Sequence, residues 1–314
     1  MSRLCREIFR RGNNFAAHFN ANKEIQVMNM QRTLMPWVRR LAGTLLLAGL
    51  LGAGSAAAVG DDVVLAFDGA GGTLLRARGA ALARSDDGGR HWTPVKLPAI
   101  PAAGRIASIA VAAAGKGGMY VAGPGIGVLH SGDGGRSWSA RNEGLPGKPV
   151  TALATHAEQP DTVFAYVGGH GFFRSQDGGQ RWQLMDAGPR GGIARFVHSN
   201  MPGSMQTGWF FAATGEGVRR SMDCFCGWRE AGELGRAATA IAYDPRRPQH
   251  VYAATDDGLF LSANGGEQWS RVSAPAAAIR ALVVTPDGIV YAATDDGTLF
   301  RSGDGAKTWE RVGA

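Results

Sequence analysis

One octet recurs six times along this 314-residue chain, and its spacing restricts the fold more than any other feature of the sequence. It first reads Ser85-Asp86-Asp87-Gly88-Gly89-Arg90-His91-Trp92. Later copies run from Ser131 through Asp133 to Trp138, from Ser175 through Asp177 to Trp182, and from Ser221 through Asp223 to Trp228. The last two run from Ser262 through Asn264 to Trp269 and from Ser302 through Asp304 to Trp309. Successive serines are 46, 44, 46, 41 and 40 residues apart. A period of roughly 40–46 residues is that of a four-stranded propeller blade.

The remainder of each unit supports the same reading. The final unit holds Ile279-Arg280-Ala281-Leu282-Val283-Val284, a Thr-Pro-Asp-Gly turn, Ile289-Val290-Tyr291-Ala292-Ala293, a Thr-Asp-Asp-Gly turn, Thr298-Leu299-Phe300-Arg301-Ser302, the octet and Trp309-Glu310-Arg311-Val312. These are four short β-prone runs separated by turn chemistry. Asp257-Gly258 and Asp296-Gly297 are hairpin pairs. The 47 glycines, without a triplet period, fit many turns rather than collagen. The prediction is an all-β chain: a six-bladed β-propeller of four-stranded antiparallel blades over 59–314, preceded by an N-terminal extension and signal peptide over 1–58. The final copy keeps its own fourth strand, so the ring is expected to close by packing of blade one on blade six.

The residue types in the octet have a physical reason. An Asp or Asn side chain accepts backbone N–H groups within its own turn. Glycine permits a left-handed backbone. The Ser hydroxyl can tie the turn to its strand, and Trp is a large plate for packing with one N–H to satisfy. This pattern resembles the Asp-box, or BNR, repeat over about residues 61–314. The resemblance implies a β-propeller such as those of bacterial sialidases, xyloglucanase-type glycosidases, sortilin-like receptors and photosystem II assembly factors. It also implies that the box is a structural turn away from the active face and transfers no activity.

The leader is read separately. Arg39-Arg40 precedes an apolar run over 41–51 and a Gly-Ala-Gly-Ser-Ala-Ala-Ala stretch, the three parts of a signal peptide, with cleavage expected after Ala58. A retained anchor is the alternative. Residues 1–27 are read as an extension that adds no fold, with Met28, Met30 or Met35 as alternative starts. The formal charge of +7 belongs mostly to this leader. Eight of the 33 Lys/Arg and two of the 26 Asp/Glu lie in 1–58, which leaves 25 bases against 24 acids beyond it. A nearly neutral body gives no reason to expect nucleic acid. The mature chain is expected to be a periplasmic or secreted monomer without membrane insertion.

Residues that break the repeat are the candidates for function. The inner strands align as 106–111, 150–155, 193–198, 238–243 and 279–284. In one column Arg195 replaces Ser108, Ala152, Ala240 and Ala281; His198 replaces Val111, Thr155 or Tyr243 in another; and Arg280 stands where Thr151 and Thr239 stand. With Arg105 these could form a basic ligand-binding site in the central channel, suited to a carboxylate or phosphate. The alternative is that each Arg pairs locally with an acid such as Glu216 or Glu233, or reaches solvent. Blade four departs most, with Trp209, an insert over 201–208, and Cys224 and Cys226 within its octet. The two cysteines are read as a local disulfide staple, as free thiols, or as a redox pair. Two sulfurs without nearby histidines do not complete a zinc shell. No metal and no cofactor are expected. His170 is read as a turn residue, and Tyr252 and Tyr291 as packing residues of the repeated strand.

The resemblance implies two function classes. A sialidase would need a Phe/Tyr-Arg-Ile-Pro motif near the start of the propeller, whereas Gly104-Arg105-Ile106-Ala107 is the nearest string. It would also need a nucleophilic Tyr outside the repeat. A xyloglucanase would need two propellers and paired aspartates. The favoured expectation is therefore a non-catalytic platform, of assembly-factor or scaffold type, that binds a protein or glycan on one face. A glycoside hydrolase of the sialidase-like propeller type is the alternative.

Overall fold

The computed structural model describes residues 63–313 apart from 114–117, 148, 205–207, 223–224 and 226. The signal peptide and Asp223, Cys224 and Cys226 lie outside the described residues. Among the described residues, twenty-four strands form six four-stranded antiparallel sheets, each in sequential order. The blades span 63–95, 108–140, 150–186, 195–230, 240–272 and 279–312. Their inner strands are Val63–Asp68, Ser108–Val111, Val150–Thr155, Arg195–Ser199, Ala240–Asp244 and Ile279–Val284. Three of these start two residues later than the repeat alone suggests. Among the described residues there is no helix long and apolar enough to cross a membrane.

Strands form here because each is a short run of β-branched, aromatic and small residues ended by a turn. Both faces of a blade pack against neighbours, so the second strands are mostly buried, along their whole length in Val163–Val167 and Val290–Thr294. The apolar clusters sit between blades rather than inside one. One joins Val64 and Leu75 of blade one to Ile109 and Val121 of blade two. Another joins Val63 and Leu74 of blade one to Ala281, Tyr291 and Leu299 of blade six. Ring closure thus uses the same packing as every other junction.

The octet turns form as their chemistry dictates. Ser85 Oγ accepts the Gly89 N–H at 2.8 Å and donates to Asp87 Oδ1 at 2.7 Å. Asp87 Oδ1 also accepts the Arg90 and His91 N–H groups. The pattern repeats around Asp133, Asp177, Asn264 and Asp304. Several of the Trp rings then reach the preceding blade. Trp182, Trp269 and Trp309 donate Nε1–H to Arg141 O, Ala231 O and Ser273 O, and Trp228 donates to the Asp186 carboxylate.

The second glycine of the octet lies against a neighbouring blade. A Cβ on Gly89 would meet Leu299 Cδ2 at 2.4 Å, and one on Gly266 would meet Ala231 Cβ at 2.9 Å. Blade four places Phe225 at this position, with φ 54°. Its ring packs among Phe164, Phe172 and Phe210, with centroids 4.8–6.1 Å away. The altered octet therefore carries an aromatic wedge between blades three and four.

A second repeating turn closes the inner hairpin of blades one and three to six. The residue at the end of the inner strand is Asp68, His156, Ser199, Asp244 or Thr285, and its side chain accepts a backbone N–H two to four residues on. This turn and the octet lie at the same end of each blade, because strands alternate in direction.

Candidate functional site

Backbone register defines the layers of the central channel. Val64, Ser108, Ala152, Arg195, Ala240 and Ala281 pair with Ala77, Ala122, Tyr166, Ala213, Ala254 and Ala293 at one level. Arg195 is thus one guanidinium in a ring of small and aliphatic side chains. Three residues further along each strand, Phe67, Val111, Thr155, His198, Tyr243 and Val284 form the next ring. At a strand rise of about 3.3 Å the two rings are about 10 Å apart.

Every residue of these two rings except Ala152 lines a cavity of about 670 Å³, within the roughly 300–1,000 Å³ of small-molecule sites. Its wall continues past the strand ends to Gly69, Ala70, Ala113, Ala157, Pro245 and Pro286. The cavity therefore lies toward the face that carries the octet turns. The resemblance implied the opposite face as the active one. The wall is mostly Ala, Val, Leu and Ile, and no Asp or Glu among the described residues lines it. Arg195 is the one Arg or Lys among the described residues of the wall. Arg195 as a whole is partly buried, and its guanidinium donates to Ala194 O at 2.8 Å in an exposed contact.

His198 and His156 border the cavity at its octet end. Their rings stand 4.0 Å apart, and both are buried. His198 Nδ1 accepts the Ala157 N–H at 3.1 Å, tying blade four to the turn of blade three. His156 Nδ1 accepts the Glu158 and Gln159 N–H groups at 3.1 and 3.0 Å. Both rings therefore hold the cavity rim in place. His156 was not among the residues that break the repeat. Its signal is positional, because it occupies the turn column of Asp68 and Asp244.

The four basic candidates do not form one cluster. Arg280 bonds Asp256 at 3.0 Å and is absent from the cavity wall. The equivalent positions of the other blades, Val63, Ala107, Thr151, Ala194 and Thr239, are absent from the wall as well, so this level of the inner strands lies outside the cavity. The neighbourhood of Arg280 is a smaller cavity of about 310 Å³ bordered by Asp256, Asp257 and Arg271. There Asp257 pairs with Arg236, and Arg271 donates to Asp257 O. Arg105 is exposed, ahead of its strand, and outside the channel wall. Glu216, offered as an Arg partner, bonds Arg219 instead.

The other candidate residues have structural places. Trp209 opens the second strand of blade four, donates to Pro202 O and lies 5.4 Å from the Arg220 guanidinium. His170 lies in a turn between strands. Tyr252 and Tyr291 are buried between blades. No group of three or more His, Cys, Asp or Glu among the described residues could hold a metal ion.

The chain is similar to known propellers. A family model described as "Photosynthesis system II assembly factor YCF48" matches residues 57–212. A structure of YCF48 bound to D1 peptide is 20% identical, covers 81% of this chain and 81% of its own, and superposes with a TM-score of 0.54. YCF48 from Cyanidioschyzon merolae is 18% identical, with coverages of 80% and 85% and a TM-score of 0.51. The GH74 xyloglucanase from Xanthomonas campestris is 19% identical with a TM-score of 0.61, over 80% of this chain but 45% of the enzyme. The Niastella koreensis GH74 enzyme is 15% identical with a TM-score of 0.57; the match takes in 81% of this chain and 47% of the enzyme. This chain thus spans less than half of either glycosidase. No curated protein is significantly similar to it in sequence. The six octets, the six four-stranded blades and the match over 57–212 together make this chain a BNR-type six-bladed β-propeller with a YCF48-like sequence in its first half.

Proposed function

We propose that this is an exported, non-catalytic propeller of assembly-factor or scaffold type, which binds a protein partner on one face. The observation that carries the reading is the channel wall. It offers an apolar surface with one guanidinium and no Asp or Glu among the described residues, so it presents no carboxylate pair for glycosidic bond cleavage. The sequence match to an assembly-factor family supports the same direction, as does the peptide-bound state of a structurally similar propeller. Location in the periplasm or outside the cell rests on the leader at 39–58. A glycan on the same face, turned over or merely held, is the competing reading that the GH74 likeness keeps in play.

Affinity capture from the periplasmic fraction of the source cell tests the proposal. One stoichiometric protein that rebinds the purified chain supports it. Absence of any such protein, together with hydrolysis of a sialoside or β-glucan, overturns it.

A further inference from the structure

We infer that Arg76 and Arg78, in the seam between blades six and one, form a site for a phosphoryl group. The site goes beyond the protein-binding reading above and does not rest on it.

The repeat shows what is unusual in this seam. In the second strand of each blade the residue paired with the octet serine is Leu74, Met119, Val163, Phe210, Val251 or Val290. Two residues further on, five blades carry Val121, Ala165, Ala212, Ala253 and Ala292, all fully buried, and blade one carries Arg76. Four residues on, they carry Gly123, Val167, Thr214, Thr255 and Thr294, and blade one carries Arg78. Five blades therefore pack their seams without a charge at either level.

Alternation along the strand puts Leu74, Arg76 and Arg78 on one face. Leu74 belongs to the apolar cluster shared with blade six, so both arginines leave the face that blade one turns toward blade six. Arg78 is exposed and lies so close to Gly297 of blade six that a Cβ there would strike its guanidinium. Arg76 is partly buried, with its guanidinium 4.2 Å from the ring centroid of Trp92. Stacking on an indole orients a guanidinium but leaves its N–H edge open, because all its donors lie in its own plane. Among the described residues neither arginine has a hydrogen bond or an ion pair. Burial, and then the nearby Arg78, hold Arg76 below the ordinary arginine value. The acids of the facing hairpin are engaged elsewhere. Asp296 accepts from the hydroxyls of Thr294 and Thr298 and has Arg311 near it, and Asp295 accepts the Asp296 N–H.

Two guanidiniums without an acid suit a doubly charged oxyanion. A phosphoryl group carries up to two charges and three terminal oxygens, so it can accept from both arginines at once. A single carboxylate brings one charge and two oxygens. The two Cα atoms are about 7 Å apart along the strand, within reach of two arginine side chains converging on one group. Thr73 bonds Asp86 at the octet end of this strand and Arg78 is its last residue, so the site lies at the opposite end of the blade. Neither arginine lines the central cavity. The same chemistry is found in free phosphate and in an anionic lipid headgroup.

Calorimetric titration of the full chain with inorganic phosphate, at about pH 8 where the dianion dominates, tests the free ion, with succinate as the dicarboxylate control. Co-sedimentation with phosphatidate vesicles, against phosphatidylcholine vesicles, tests the headgroup. Phosphate or phosphatidate is expected to bind, and Arg76→Ala, which restores the residue of blades three to six, should weaken that binding about ten-fold or more, the scale of one charge-assisted contact. Arg78→Thr, which copies Thr214, Thr255 and Thr294, is the second variant; it changes an exposed side chain and should weaken binding similarly. Binding of inorganic phosphate assigns the free ion, binding of phosphatidate vesicles alone assigns a lipid headgroup, and either one, lost in both variants, supports the proposal. Succinate bound as tightly as phosphate, binding that survives either substitution, or no binding of any probe overturns it.

Discussion

The phenol of Tyr291, in the last blade, lies against Gly88 of the first octet, so close that a Cβ on Gly88 would sit 3.1 Å from its oxygen. Tyr120 stands in the same relation to Gly178, and Tyr252 to Gly305, at 3.6 and 3.7 Å. Each is a second-strand tyrosine that reaches the octet of the following blade. The junction that closes the ring therefore repeats an ordinary one. Tyr291→Ala and Tyr252→Ala should destabilise the propeller alike, by about 3–5 kcal/mol each, as for other large core truncations. Urea unfolding of the two variants checks this. A Tyr291→Ala cost far below that of Tyr252→Ala would mean that the ring closes some other way.

The octet serines are buried, and Ser85, Ser131, Ser175, Ser262 and Ser302 are bonded on both sides. Ser175 Oγ accepts Gly179 N–H at 2.8 Å and donates to Asp177 at 2.7 Å. Ser175→Ala leaves a buried N–H without its acceptor and should cost about 1–3 kcal/mol. Chemical denaturation would measure the loss.

Asn can replace Asp in the box with part of its bonds kept, since Asn264 accepts from Gln268 N–H and Ser262 as the aspartates accept from theirs. Asp133→Asn should lower the melting temperature less than Asp133→Ala, but still lower it, because the Ser137 hydroxyl bonds the carboxylate oxygen that Asn lacks. Thermal melts at pH 7 rank the two.

Acid should act in two windows. Burial, then the nearby Arg141, holds His130 below the ordinary histidine value, so the fold favours the neutral ring. Its contribution is complete above about pH 6.5 and is lost as pH falls through the lowered folded value. The carboxyls of Asp133 and Asp304 lie well below the usual carboxylate range. The hydroxyls of Ser137 and Thr308, respectively, are the main cause. Asp87 is lowered chiefly by the His91 N–H. These contributions persist above about pH 4 and fade as pH drops through the folded values. His130→Leu, which copies Leu261 of blade five, should narrow the upper window, which His250 shares because burial and then Arg247 lower it too, and should leave the lower one. Melting temperature against pH for both proteins reads this out.

Phe225→Gly restores the repeat consensus and relieves a left-handed backbone worth about 1–2 kcal/mol. It also removes a ring from the aromatic junction, a loss of about 3–5 kcal/mol. Packing should win, with a net destabilisation on the order of 2 kcal/mol in urea unfolding.

The period alone made most of the scaffold legible. Six octets at even spacing located six blades, and alignment of the inner strands placed Arg195 and His198 in the layers where register finds them. What stayed hidden depends on contacts between blades. The level of the inner strands at which the cavity begins has no sequence signature, and it leaves Arg280 outside the wall, paired with Asp256 of the preceding blade. Phe225 reads as drift within a damaged octet, because its purpose lies in Phe164 and Phe172 of the preceding blade. His156 gives no signal alone; it takes on meaning beside Asp68 and Asp244, which cap the same turn in other blades.

The most direct test of a non-catalytic binding propeller is turnover itself. The purified chain and its Arg195→Ala variant should be assayed on a panel of sialosides and β-glucans. The account predicts no hydrolysis by either protein. Hydrolysis by the wild type that disappears in Arg195→Ala would contradict it.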